Sequence, residues 1–172
     1  MMARSHVVVG VAAWIAVAPL LHLPPADLPG TVLAVLGALL PDIDHPQSWV
    51  GRRTRPVSTA LAAVLGHRGV THSAVAVIVL AAALLYGGYR HATVAALAIG
   101  YLSHLAADML TPRGLRLAWP LRRTWGVPVC RTGSPAEGFI VALLVGLILW
   151  WLVNHGRWVW PAGLAGLVGT RH

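Results

Sequence analysis

Residues 92–110 read ATVAALAIGYLSHLAADML. A helix needs roughly 20 apolar residues to cross a bilayer, and this run meets that length. Two side chains break its apolar character, His104 and Asp108, and both fall in its last turns. They stand at i and i+4, so a helix puts them on one face. An imidazole and a carboxylate at membrane depth are expensive and mark function. The stretch therefore predicts a membrane helix that delivers a polar pair to one membrane face.

The rest of the chain extends that reading. Of its 172 residues 57% are hydrophobic and 10% charged, against about 25% charged in a soluble domain. The mean hydropathy is +0.70. The expectation is an all-α, polytopic membrane helical bundle of five or six transmembrane helices, forming a single integral membrane domain over residues 1–172. Apolar runs lie at Val7–Leu21, Thr31–Leu40 (entered from Leu28), Ala74–Tyr86, Ala92–Leu110 and Phe139–Val153, with a sixth, shorter one at Trp158–Val168. Val57–Gly66 is too short to cross and reads as an interfacial or re-entrant helix. The first run resembles a signal peptide, but Pro19 would follow the cut after Ala18, so it is expected to be retained. Cys130 is the sole cysteine and excludes an intramolecular disulfide.

All 13 basic residues are arginine, and the net charge is +8. The arginines sit in short loops between apolar runs, so the charge reads as topology and no nucleic-acid partner is expected. With a cytoplasmic N-terminus, Arg4, Arg52, Arg53, Arg55, Arg68 and the five arginines from Arg113 to Arg131 all lie inside, against Arg90 and Arg157 outside. The positive-inside rule favours that orientation in an inner (plasma) membrane.

The same topology sorts the polar residues. Four of the five acidic residues, Asp42, Asp44, Asp108 and Glu137, fall at the cytoplasmic ends of the runs, beside His6, His45, His67, His72 and His104. Singly each has a plainer reading: Asp44 could cap a helix, and His104 with Asp108 could hold two helices together. Gathered on one face they predict a metal centre, since imidazole and carboxylate suit Zn²⁺, Mn²⁺ or Fe²⁺. His22 falls at the outer turn and is excluded.

Three segments carry a resemblance to a known family. Pro41-Asp42-Ile43-Asp44-His45-Pro46, Gly66-His67-Arg68-Gly69-Val70-Thr71-His72-Ser73 and Gly100 to Gly114, which spans His104 and Asp108, resemble the signatures of the YdjM-like membrane-bound metal-dependent hydrolases. Leu117-Ala118-Trp119-Pro120 and His6 fit the same pattern, and the likeness covers residues 6 to about 140. It implies an inner-membrane, metal-dependent hydrolase and implies no substrate. The His-x-x-x-Asp pair is also similar, more weakly, to zinc-dependent phospholipase C.

Together these readings predict a hydrolase with divalent ions, Zn²⁺ foremost, held by His6, Asp42, Asp44, His67, His72, His104, Asp108 and Glu137. So many donors suggest two or three ions, which suits a phosphoester substrate. Arg68 and Arg113 are candidates to grip its phosphate, and Asp44 or Glu137 to act as general base. A site at headgroup level predicts a lipid or lipid-linked phosphoester, with membrane lipids as partners. The alternative is a divalent-metal transporter or sensor; transporters usually hold their ion near the midplane, and the donors here gather at one end.

Overall fold

Asp27 starts the second helix, and with it the first hairpin. In the computed structural model, which describes residues 1–65, 70–121 and 123–155, helix α1 (Ala3–Val17) tightens into a 3-10 turn over Ala18–Leu21. The chain reverses at His22, whose φ of 56° is left-handed. Asp27 then caps α2 (Leu28–Leu39): its Oδ2 accepts from the Gly30 N–H at 2.6 Å, and Pro29 takes the first turn, where its missing N–H costs nothing. A Cβ on Gly10 would meet Ala38, and one on Gly30 would meet Trp14, so α1 and α2 run antiparallel.

The chain leaves α2 through a 3-10 turn, Leu40–Asp44, braced by two short helices, α3 (Trp49–Arg53) and α4 (Arg55–Leu65). Ser48 caps α3 by accepting from the Gly51 N–H at 2.8 Å and donates to the Asp42 carbonyl at 2.7 Å, which fixes the backbone of the turn. Helix α5 (Ala74–Tyr86) leads through Gly88, φ 78°, into α6 (His91–Met109).

Helix α6 packs most closely on α2. A Cβ on Gly100 would fall onto the Ala34 carbonyl, and one on Gly37 onto the backbone of Leu97. Small residues let two membrane helices approach this closely. Trp14, Ala18, Ala34 and Ala96 form the core at one end of the bundle. After α6 the loop folds back on the helix end: Leu115 and Trp125 exchange backbone hydrogen bonds, and Val127 N–H donates to Met109 O. Helix α7 (Pro135–His155) closes the described chain. It is apolar on every side and outward-facing, with Phe139 72% and Val153 85% exposed, as a lipid-facing helix is.

The described residues are helical, with one isolated bridge and no strand. Three segments are long and apolar enough to cross a membrane: Ala3–Leu21, His91–Met109 and Pro135–His155. Helices α2 and α5, of 12 and 13 residues, fall short of a full span, at about 1.5 Å per residue against a core of about 30 Å. Where five or six spans are expected, the described residues hold three of full length and two shorter apolar helices, and the run at 158–168 lies outside the described residues. Residues 57–65 of the run expected not to cross lie in the short helix α4, and Gly66 lies outside the described residues.

Candidate metal centre

Four donor atoms converge at one end of the bundle. His104 and Asp108 come from the last turns of α6, Asp42 from the turn after α2, and His72 from just before α5. Asp42 Oδ1 lies 3.7 Å from His72 Nε2 and 3.9 Å from His104 Nε2; Asp108 Oδ2 lies 3.7 Å from His104 Nε2 and 4.0 Å from His72 Nε2. His72 and His104 are fully buried, and Asp108 nearly so; Asp42 keeps 17% of its side chain exposed and marks the open side.

These separations test the metal reading. They are too long for hydrogen bonds, and the buried Nε2 atoms of His72 and His104 have no hydrogen-bond partner among the described residues. Four ligands at about 2.0–2.2 Å from a tetrahedral ion stand about 3.4 Å apart. The donor atoms of Asp42, His72 and His104, and those of His6, His104 and Asp108, each lie within 4.8 Å of one another, so a modest contraction brings either set of three to the spacing of a coordination shell. The residues fit a divalent cation.

The imidazoles are oriented from behind. His104 Nδ1 is 2.7 Å from the Ala38 carbonyl oxygen, which can only accept, so Nδ1 carries the proton and Nε2 presents its lone pair. His72 Nδ1 is 3.1 Å from Thr71 Oγ1, and that hydroxyl donates to Asp44 Oδ2 at 2.5 Å. With its hydrogen directed to Asp44, the Thr71 oxygen accepts from His72 Nδ1–H, and His72 Nε2 is left as the ligand atom. Tyr101 Oη donates to the Thr71 carbonyl at 2.6 Å and pins the same residue.

His6 joins from α1. Its ring stacks on His104, centroids 3.7 Å apart, and its Nε2 lies 3.4 Å from Asp108 Oδ1. Met1 N donates to that oxygen at 2.5 Å. His6, His104 and Asp108 form a second potential donor group beside Asp42, His72 and His104. Burial alone would raise the Asp42 carboxyl, but the neighbouring His72, His104 and His6 outweigh it and hold Asp42 below its ordinary 3.8. Its oxygen is therefore available to a cation at neutral pH.

Of the ten residues the sequence nominated, His6, Asp42, His72, His104 and Asp108 are brought together. Asp44 is fully buried against Thr71, one residue behind the donor shell. Glu137 belongs to neither donor group: its Oε1 accepts from Met2 N–H and Ser5 Oγ–H at 2.8 and 2.6 Å, and its Oε2 from Gly133 N–H at 2.6 Å. It ties the start of α1 to the start of α7. Arg113 is exposed on the loop after α6 and makes none of the cluster's polar contacts. His67 and Arg68 lie outside the described residues. His22 is exposed at the opposite end, as expected. Thr71, Ser48 and the Ala38 carbonyl escaped the sequence reading. Thr71 sits beside His72 in the quoted motif, which was its one signal, and a backbone carbonyl leaves none.

Comparison with known proteins agrees with this architecture. The family model described as YdjM inner membrane protein matches residues 1–170. The inner membrane protein YdjM of Escherichia coli (strain K12) is 41% identical over 124 residues, 68% of this chain and 63% of the relative, and its Shigella flexneri counterpart matches equally. The chain thus spans about 63% of the length of these relatives. The protein YvsG of Bacillus subtilis (strain 168) is 30% identical over 161 residues, 91% of this chain and 99% of the relative. No solved structure matches the chain. With apolar helices gathering His and Asp at one end, and a family match over nearly its whole length, the chain belongs to the YdjM family of inner membrane proteins.

Proposed function

We propose that the protein is a membrane-bound, metal-dependent hydrolase acting on a phosphoester of a lipid or lipid-linked substrate, with its centre facing the cytoplasm. The observation that carries this reading is the buried pair His72 and His104, whose Nε2 atoms are unpartnered among the described residues and each lie within 4.0 Å of an oxygen of Asp42 and of Asp108. Two imidazoles and two carboxylates suit Zn²⁺, with Mn²⁺ and Fe²⁺ as competitors. A divalent ion there supplies Lewis-acid polarisation of a phosphoryl oxygen and a more acidic water.

The chain's own residues do the rest. His104 and His72 are held in one tautomer by Ala38 and by the Thr71–Asp44 pair, which makes Asp44 a positioning residue. Asp42 lines the exposed side, where water and substrate enter. Because His104 Nδ1 is engaged, its single Nε2 serves one ion. A second ion would be held by His6 together with Asp108, whose Oδ2 faces His104 and His72 and whose Oδ1 faces His6. The cytoplasmic orientation rests on arginine placement, and the headgroup-level substrate on the donors lying at one end of the bundle. Five or six passes remain the proposed topology, with α2 and α5 crossing a locally thinned bilayer.

The test is purified protein in detergent, loaded with Zn²⁺ or Mn²⁺ and offered phospholipids and generic phosphodiesters. Hydrolysis abolished by chelator and by Asp42→Ala and His104→Ala supports the reading. A loaded protein that hydrolyses nothing on such a panel overturns it and leaves a metal-binding membrane protein.

A further inference from the structure

An apolar groove of about 450 Å³ runs along the outside of the donor end, lined by Ala3, Arg4, Val7, Val8, Leu39 and Trp49. Arg4 is its single charged lining residue among the described residues, and it is exposed. Trp49, 47% exposed, forms part of the wall, and the Arg53 guanidinium lies over its ring, 3.7 Å from the centroid. Arg53 also donates to the Trp49 carbonyl at 3.0 Å, which holds it in place. The groove therefore carries one arginine in its wall and a second stacked on its tryptophan. Arg4 precedes His6 by two residues and Leu39 leads into the Asp42 turn, so the groove borders the metal centre while Arg4 and His6 face different sides of α1.

We propose that this groove docks an anionic phospholipid, with an acyl chain along Val7, Val8 and Leu39 and the phosphate between Arg4 and Arg53. Charge complementarity selects this occupant. A Trp–Arg pair in the wall of an apolar groove matches a headgroup boundary, where Trp anchors and Arg binds phosphate through a planar fork of donors. A free phosphate would leave the apolar walls unused, and a zwitterionic lipid would bring its own headgroup cation up against the two arginines. That the docked lipid is the hydrolase's substrate rests on the function proposed above; the docking itself does not.

The experiment uses chelator-treated full-length protein, so lipid binding is read without turnover. It is reconstituted in phosphatidylcholine nanodiscs doped with an equal fraction of brominated phosphatidylglycerol or brominated phosphatidylcholine. Bromines quench nearby tryptophan, and Trp49→Phe identifies the Trp49 share of the signal. The expected result is stronger Trp49 quenching by the brominated phosphatidylglycerol. Arg4→Gln and Arg53→Gln should each cut that preference about fivefold, and Arg4→Lys and Arg53→Lys should retain most of it. Equal quenching by the two lipids, or a preference that survives the double glutamine variant, overturns the proposal. So does displacement by inorganic phosphate alone, which would make the site a simple anion site. Circular dichroism matching the parent shows that a variant is folded, and the lysine pair keeps the test available if the glutamine pair is not. Absence of hydrolysis with the docking preference intact would count against the hydrolase and leave the docking standing.

Discussion

His104 turns its Nδ1 to the carbonyl oxygen of Ala38, 2.7 Å away across the contact between α6 and α2. The bond couples the metal centre to helix packing. The same stretch of α2 that receives the imidazole, Ala34 to Ala38, is the stretch against which Gly100 closes. Moving α2 away from α6 would therefore loosen the helix contact and release the imidazole together.

Gly100→Ala tests that coupling. The added methyl falls on the Ala34 carbonyl, and overpacking of this kind costs about 1–3 kcal/mol. The expected outcome is a lower Tm in detergent and weaker metal binding, although residue 100 offers no ligand atom. Unchanged metal affinity at a lowered Tm would separate the two.

His104→Ala removes the donor that both potential groups share. Metal affinity should fall by more than the roughly 10–100-fold typical of an outer-shell change. Elemental analysis of protein purified without chelator reads this directly. Retention of a full metal complement would show that the ion, if any, binds elsewhere.

Thr71→Val keeps the shape of the side chain and removes the hydroxyl between His72 and Asp44. Affinity should drop by about 10–100-fold, and Thr71→Ser should restore most of it. Competition with a chelating dye gives the affinities. Equal behaviour of valine and serine would count against the relay.

Acidification should strip the metal. Asp42 is held below its ordinary 3.8 by the surrounding histidines, so its ionised form is favoured in the fold and that contribution is lost only as pH falls through the lowered value. Metal lost above about pH 4 therefore reports protons competing for the imidazole Nε2 atoms, as metal ligation requires neutral histidine. A loading curve that does not fall even below the range of the Asp42 carboxylate would count against Asp42 as a ligand.

Glu137→Gln should act on the fold more than on the metal. Glutamine offers one acceptor oxygen where the carboxylate receives Met2, Ser5 and Gly133 with two. Leaving a buried donor unmet costs about 1–3 kcal/mol, read as a lower Tm, while the metal complement should stay near that of the parent. Loss of the ion at an unchanged Tm would return Glu137 to the ligand shell.

The sequence by itself determined the membrane character, the apolar runs and the pairing of His104 with Asp108, because composition and a spacing of four are local properties that any helix reads out. It also singled out Asp42, His72 and His6 as chemistry, since so few charges remain in an apolar chain. Only the tertiary structure decided how the nominated acids divide their work: Asp42 and Asp108 face the imidazoles, Asp44 stands behind Thr71, and Glu137 ties α1 to α7. Those assignments depend on how closely α2, α6 and α1 approach one another. That distance is set by glycine contacts and backbone carbonyls from remote segments, which no spacing within a single segment encodes.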